Sequence, residues 1–253
     1  MIEYPQIDRY ALLKSPIHSF DPRAKIISFL FLIFSVVLLS DLKVTLVGLA
    51  ASIFLLILSK LPFSFIFQYL KWVFLFILPF IIIMPFSVKG VEIFNFYGAR
   101  LTQEGLMYGF LISLRAISAV IIIFPMLATT RFEEILKALY KLKVPNVLIQ
   151  ILMFSYRYIF TFIKEFQTTL RAMQSRGFKM RTDLYTLKIL GKAMGTLFIK
   201  GYEKSERVYQ AMQSRGYTGS SKMLVEFKMR FKDYVLAICI IGFAFFLHIV
   251  SFG

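Results

Sequence analysis

Five apolar stretches interrupt this chain, and they limit its fold more than any other feature does. Trp72–Val88, Leu106–Ala128 and Tyr234–Phe252 each run for 17 residues or more, close to the roughly 20 that an α-helix needs to cross a bilayer. Ile26–Ser40 and Val44–Leu58 are shorter, at 15 residues each, and only Asp41, Leu42 and Lys43 separate them. Those two read as a helical hairpin whose flanking charges reach the membrane interface. Pro79 and Pro85 predict a kink in the Trp72–Val88 helix. The composition agrees, with 58% hydrophobic residues, 29 phenylalanines and a mean hydropathy of +0.71. The expected fold is an all-α membrane protein with about five transmembrane helices and a cytoplasmic helical domain.

Charge organises the chain. The net charge is +16, which in a soluble protein would suggest a nucleic-acid partner. In a membrane protein, Lys and Arg collect in cytoplasmic segments, so no nucleic-acid partner is expected. Residues 129–233 hold 20 of the 30 Lys and Arg and 8 of the 14 Asp and Glu. Three segments follow: a four-helix N-terminal membrane domain over 1–128, a charged helical domain over 129–233, and a last transmembrane helix over 234–253. Four crossings return 129–233 to the side of the basic N-terminal segment, which the positive-inside rule assigns to the cytoplasm. The apolar 146–163 stretch contains Arg157. A crossing there would put the 15 Lys and Arg of residues 164–232 outside, so an interfacial or buried helix is expected.

Within the charged domain, Thr130 and Glu133 have the spacing of a capping box ahead of a short amphipathic helix that Pro145 closes. Two longer helices are expected over about 146–176 and 184–215, ended by Gly177 and Gly216. Both end in the same six residues, AMQSRG, at Ala172–Gly177 and Ala211–Gly216. No uncharged run between Phe178 and Gln210 is long enough to cross a membrane, so both ends face one compartment. An arginine at a helix C-terminus complements the helix dipole and can simply cap it. That role accounts for one copy, but not for the recurrence of Ala, Met, Gln and Ser. Two identical ends on one side suit two equivalent sockets, such as the two subunits of a dimeric partner. An arginine fork fits a carboxylate in such a socket, and methionine adapts to an apolar groove.

At this point the chain resembles a known family. IDRYALLKSPIHSFDPRAK, FSYRYIFTFIKEF and YEKSERVYQAMQSRGY look like the transmembrane (T) component of energy-coupling factor (ECF) transporters, and most like its cobalt-type branch, CbiQ. The resemblance covers nearly the whole chain. It implies that Ala172, Ser175, Arg176, Gly177, Ala211, Ser214, Arg215 and Gly216 dock two ATP-binding cassette ATPase subunits. Ser175 and Ser214 stand where the family's motif has alanine. The resemblance also implies that ATP is bound by those partner subunits and no cofactor by this chain. Motion of the two helices would pass to a separate substrate-binding membrane subunit, for cobalt or nickel uptake. A vitamin-type T component and a self-contained channel or secondary transporter are the alternative readings.

Asp21 and Pro22 have the pattern of an N-cap and first helical residue, with Arg23 and Lys25 expected at the lipid headgroups. Arg115 lies ten residues into its apolar run and is a functional candidate by its depth. Gly191 and Gly195 offer a small-residue face for a close helix crossing. The single cysteine, Cys239, and the distant His18 and His248 suggest neither a metal site nor catalysis. The absence of a Gly-Lys-Ser/Thr phosphate loop argues against ATP hydrolysis by this chain.

Overall fold

A computed structural model describes residues 8, 10–13, 15–88, 90–96, 99–219, 227 and 229–252. The elements are α1 (Pro22–Leu38), α2 (Leu42–Ser59), α3 (Phe63–Ser87), β1 (Glu92–Phe96), β2 (Ala99–Thr102), α4 (Gln103–Ala128), α5 (Phe132–Lys141), α6 (Asn146–Ser175), α7 (Leu184–Gln213) and α8 (Phe231–Phe252). The protein is an all-α membrane protein. Among the described residues the only strands form the antiparallel β1–β2 hairpin, which pairs Phe96 with Ala99.

Among the described residues, five helices are long and apolar enough to cross a membrane: α2, α3, α4, α6 and α8. The number matches the expectation, but the membership does not. Helix α1 stops at 17 residues, about 25 Å. Helix α6 qualifies because its apolar run sits at the start of a 30-residue helix. Of the two positions expected for 146–163, interfacial or buried, burial within this chain is not seen, since Ile149 is the only buried residue of α6.

The chain divides into two compact units. One comprises residues 8–135 and 226–253 and holds α1–α4, the hairpin and α8. Its core is built on α1, where Phe29, Leu32 and Val36 are at most 2% exposed and pack with Ile122 of α4 and Ala244 and Leu247 of α8. Ser35 Oγ donates to Ala244 O at 3.0 Å, tying α1 to α8. Most other buried hydroxyls, such as Ser113 and Ser118, donate to a carbonyl of their own helix. They therefore enter an apolar bundle without an unmade bond.

Helices α3 and α4 approach closely at two glycines. A Cβ on Gly105 would lie 2.7 Å from Met84 O and from Pro85 Cα, and one on Gly109 would lie 3.5 Å from Phe80 O. This is a small-xxx-small contact. At Gly191 and Gly195 an added Cβ meets nothing within 4 Å. The glycine pair used for close crossing is thus on α4, and the α7 pair named above faces open space.

The N-terminus of α1 is capped as expected. Asp21 is the N-cap, its Oδ1 accepts from Arg23 N at 2.9 Å, and Pro22 opens the helix. The headgroup position expected for Lys25 is corrected, because its side chain is buried. Arg23 pairs with Asp21 at 3.1 Å and lies over the Phe227 ring. Lys25 is 1% exposed and donates to Thr129 Oγ1 at 3.0 Å and Thr130 Oγ1 at 2.7 Å. The Thr130 hydroxyl expected to cap α5 therefore serves Lys25. The backbone N–H of Phe132 at the start of α5 instead donates to Asp8 Oδ1 at 3.0 Å.

The other unit comprises residues 1–7 and 136–225, and α6 and α7 dominate its described part. They pair antiparallel. Glu165 forms an ion pair with Lys200, Phe162 packs where a Cβ on Gly201 would sit, and Lys204 Nζ lies 5.6 Å from the centroid of the Tyr158 ring. Tyr217 OH donates to Gln150 Oε1 at 2.7 Å. As the residue number rises on one helix, it falls on the other.

Candidate functional site

The repeated string builds the same structure twice. In the first copy, Gly177 N donates to Gln174 O at 3.0 Å and Phe178 N to Met173 O at 3.1 Å. In the second, Gly216 N donates to Gln213 O at 2.9 Å and Tyr217 N to Met212 O at 3.0 Å. This crossed pair of bonds is a Schellman motif, with glycine as the first residue past the helix cap. Gly177 and Gly216 have φ of +85° and +84°, a left-handed conformation open to glycine at little cost.

Capping explains only part of the string. Met173 and Met212 are half-buried, as are Phe178 and Tyr217 just past each glycine. They supply the apolar pair that usually accompanies the motif. Ser175 Oγ donates to Arg171 O and Ser214 Oγ to Gln210 O, at 3.0 and 2.9 Å. Ala172, Gln174, Ser175 and Arg176 are all exposed, and so are Ala211, Gln213, Ser214 and Arg215. Among the described residues neither the Arg176 nor the Arg215 side chain has a hydrogen-bond or ion-pair partner. Each helix end therefore presents a free guanidinium beside exposed small and polar side chains.

The antiparallel pairing sets the distance between the ends. The first lies beside the N-terminus of α7, where Arg176 and Phe178 share a depression of about 410 Å³ with Asp183 and Thr186. Asp183 caps α7, accepting from Thr186 N at 2.8 Å, and its hydrogen bonds with Thr186 hold its carboxyl below the ordinary value. The second end lies beyond the far end of α7, where Met212 and Tyr217 line a groove of about 360 Å³ with Tyr158 and Phe162 of α6. The 30 residues of α7 thus hold the two ends about 45 Å apart. The sequence alone puts both at helix tips facing one compartment. Their position at opposite ends of one helix pair comes from the fold.

Sequence reasoning missed two polar or close-packed features. The Lys25 clamp has no local signal, since its partners lie 104 and 105 residues away. The α3–α4 crossing does have one, the string GLMYG at Gly105–Gly109. Among the described residues, no three His, Cys, Asp or Glu side chains stand close enough to hold a metal ion.

Long apolar helices in one unit, and a helix pair with duplicated basic ends in the other, are the parts of a multi-pass membrane protein. Comparison with known proteins places it more closely. Residues 13–226 match the family described as CbiQ, cobalt transport protein. The chain is 32% identical to an uncharacterised protein of Methanocaldococcus jannaschii, over 89% of this chain and 80% of the relative. It is 31% identical to the energy-coupling factor transporter transmembrane protein EcfT of Macrococcus caseolyticus, over 87% of this chain and 88% of the relative. It is 30% identical to that of Bacillus subtilis, over 87% of each. The chain belongs to the CbiQ/EcfT family, the transmembrane components of energy-coupling factor transporters.

Proposed function

We propose that this chain is the coupling subunit of an ECF-type ABC importer. Two ATPase subunits dock at the Arg176 and Arg215 helix ends. ATP-driven movement of those subunits shifts α6 and α7, and that shift is passed to a substrate-binding membrane subunit. The chain itself binds no cofactor and carries no chemistry, and ATP belongs to its partners. The observation that carries this reading is the duplicated helix end: one backbone motif, one exposure pattern and one unpaired arginine, repeated about 45 Å apart. A partner with two equal acidic sockets would use both copies.

Both ends are read as cytoplasmic. The apolar half of α6 meets the charged half of α7, where Lys204 lies over the Tyr158 ring, and the Lys200–Glu165 ion pair follows just past the apolar run. Taking α6 across the bilayer would carry those charges into hydrocarbon. This supports α6 lying along the membrane surface.

The substrate is read as cobalt or nickel, supported by the family description. A vitamin-type role is the second reading, because similar chains carry the EcfT name without a metal. Co-purification of the chain with its ATPases tests the docking. Wild type should retain them, and the Arg176→Glu, Arg215→Glu double variant should lose them while remaining folded. Retention by the double variant would reduce the arginines to helix caps. Uptake of labelled cobalt against labelled vitamin by the intact complex separates the two substrate readings.

A further inference from the structure

Arg115 is the thirteenth residue of the 26-residue helix α4. It lies nine residues, about 14 Å, from the nearer end of the Leu106–Ala128 apolar run. An arginine side chain spans less than that distance, so snorkelling alone does not bring the guanidinium to the headgroups. Its Nε is buried without a hydrogen-bond partner. Among the described residues no carboxylate pairs with it. The residue as a whole is only half-buried, so one side of the guanidinium is open at membrane depth. Hydrocarbon offers it no acceptor. A second copy of this chain, in a symmetric contact, would bring a second unpaired guanidinium to the same patch.

We propose that Arg115 is a docking anchor within the membrane. It pairs with an aspartate or glutamate on a transmembrane helix of the substrate-binding subunit. The inference rests on the coupling-subunit reading and adds a contact at mid-membrane depth, remote in sequence from the helix ends at Gly177 and Gly216. Charge complementarity selects the occupant: the bidentate fork of an arginine is matched by a carboxylate, and the pair is strongest where water is excluded. Tyr108, two helical turns earlier on the same face of α4 and 53% exposed, borders the contact.

The test uses the full complex, purified from membranes containing this chain, its two ATPases and its substrate-binding subunit. The Arg115→Gln variant should recover at least about tenfold less substrate-binding subunit while retaining the ATPases, and Arg115→Lys should restore part of it. Full retention of the substrate-binding subunit by Arg115→Gln overturns the proposal. A second arm leaves Arg115 intact and places p-benzoylphenylalanine at position 108. Photolysis should give an adduct with the substrate-binding subunit. Adducts confined to lipid or to this chain overturn the proposal, even where Arg115→Gln fails to fold. Loss of ATPases from wild type would instead count against the coupling reading, so the two failures are distinguishable.

Discussion

Arg176 and Arg215 occupy the same place in the same backbone motif, each followed by a glycine at φ +85° or +84°, at opposite ends of one antiparallel helix pair. A partner that grips both is held at two points by a single rigid helix. Its apparent affinity then exceeds that of either contact alone. Arg176→Glu or Arg215→Glu singly should weaken ATPase capture by about ten- to a hundredfold. The double variant should lose more than either, as a titration of ATPase against immobilised chain would show. A single variant that loses as much as the double, while the other single loses nothing, would mean that only one end is used.

Gly177→Ala and Gly216→Ala test the shape of the ends without touching charge. Each forces a Cβ into a left-handed conformation, at a cost of about 1 kcal/mol, although nothing lies within 4 Å to clash with it. The expected result is a small local effect: ATPase capture drops several-fold and the thermal midpoint of the membrane bundle stays unchanged. A fall in that midpoint would show that the ends also stabilise the bundle.

Lys25 is buried on two threonine hydroxyls, and those hydroxyls also donate to Pro125 O and Met126 O of their own helix. In Lys25→Met both threonines keep these helix bonds, so the loss should be modest, about 1 kcal/mol. Replacing Thr129 and Thr130 together by valine leaves a buried ammonium without those acceptors and should cost about 3 kcal/mol or more. Thermal unfolding in detergent should rank the threonine pair as the more damaging change. The reverse order would mean that Lys25 is held by the nearby charges of Glu134 and Asp21 rather than by the hydroxyls.

The glycines divide by their surroundings. Gly105→Ala puts a Cβ 2.7 Å from the α3 backbone and should destabilise by about 1–3 kcal/mol through overpacking. Gly191→Ala and Gly195→Ala meet open space and should stabilise α7 by about 0.5–1 kcal/mol each, as in any exposed helix interior. Opposite signs in thermal stability are the expected outcome.

His18 supplies a pH dependence. Its ring lies between Ser15 Oγ at 2.7 Å and Tyr10 O at 2.9 Å. Burial, aided by the charge of Lys25, holds its pKa below the ordinary 6.5, against the pull of the Tyr10 carbonyl. The unfolded chain therefore binds the proton more tightly. Stability should fall as pH drops below 6.5 towards the folded-state pKa. His18→Gln should flatten that part of the stability profile, and an unchanged slope would assign it to other groups.

The membrane character of this chain was legible in its sequence, because long apolar runs in a bilayer leave the backbone few ways to satisfy its own hydrogen bonds other than a helix. The helix ends were legible too, since a glycine after the last turn permits the left-handed step that closes the ladder. Those signals are local. What the tertiary structure decided depends on residues that the sequence keeps far apart. Lys25 is buried because Thr129 and Thr130 arrive from 104 and 105 positions away, and Gly105 rather than Gly191 meets a neighbouring backbone. The two AMQSRG ends stand about 45 Å apart because α6 and α7 pair antiparallel, at the length of α7. Local periodicity can specify a helix and its end. Burial, close approach and the distance between two ends are set only when another element packs alongside.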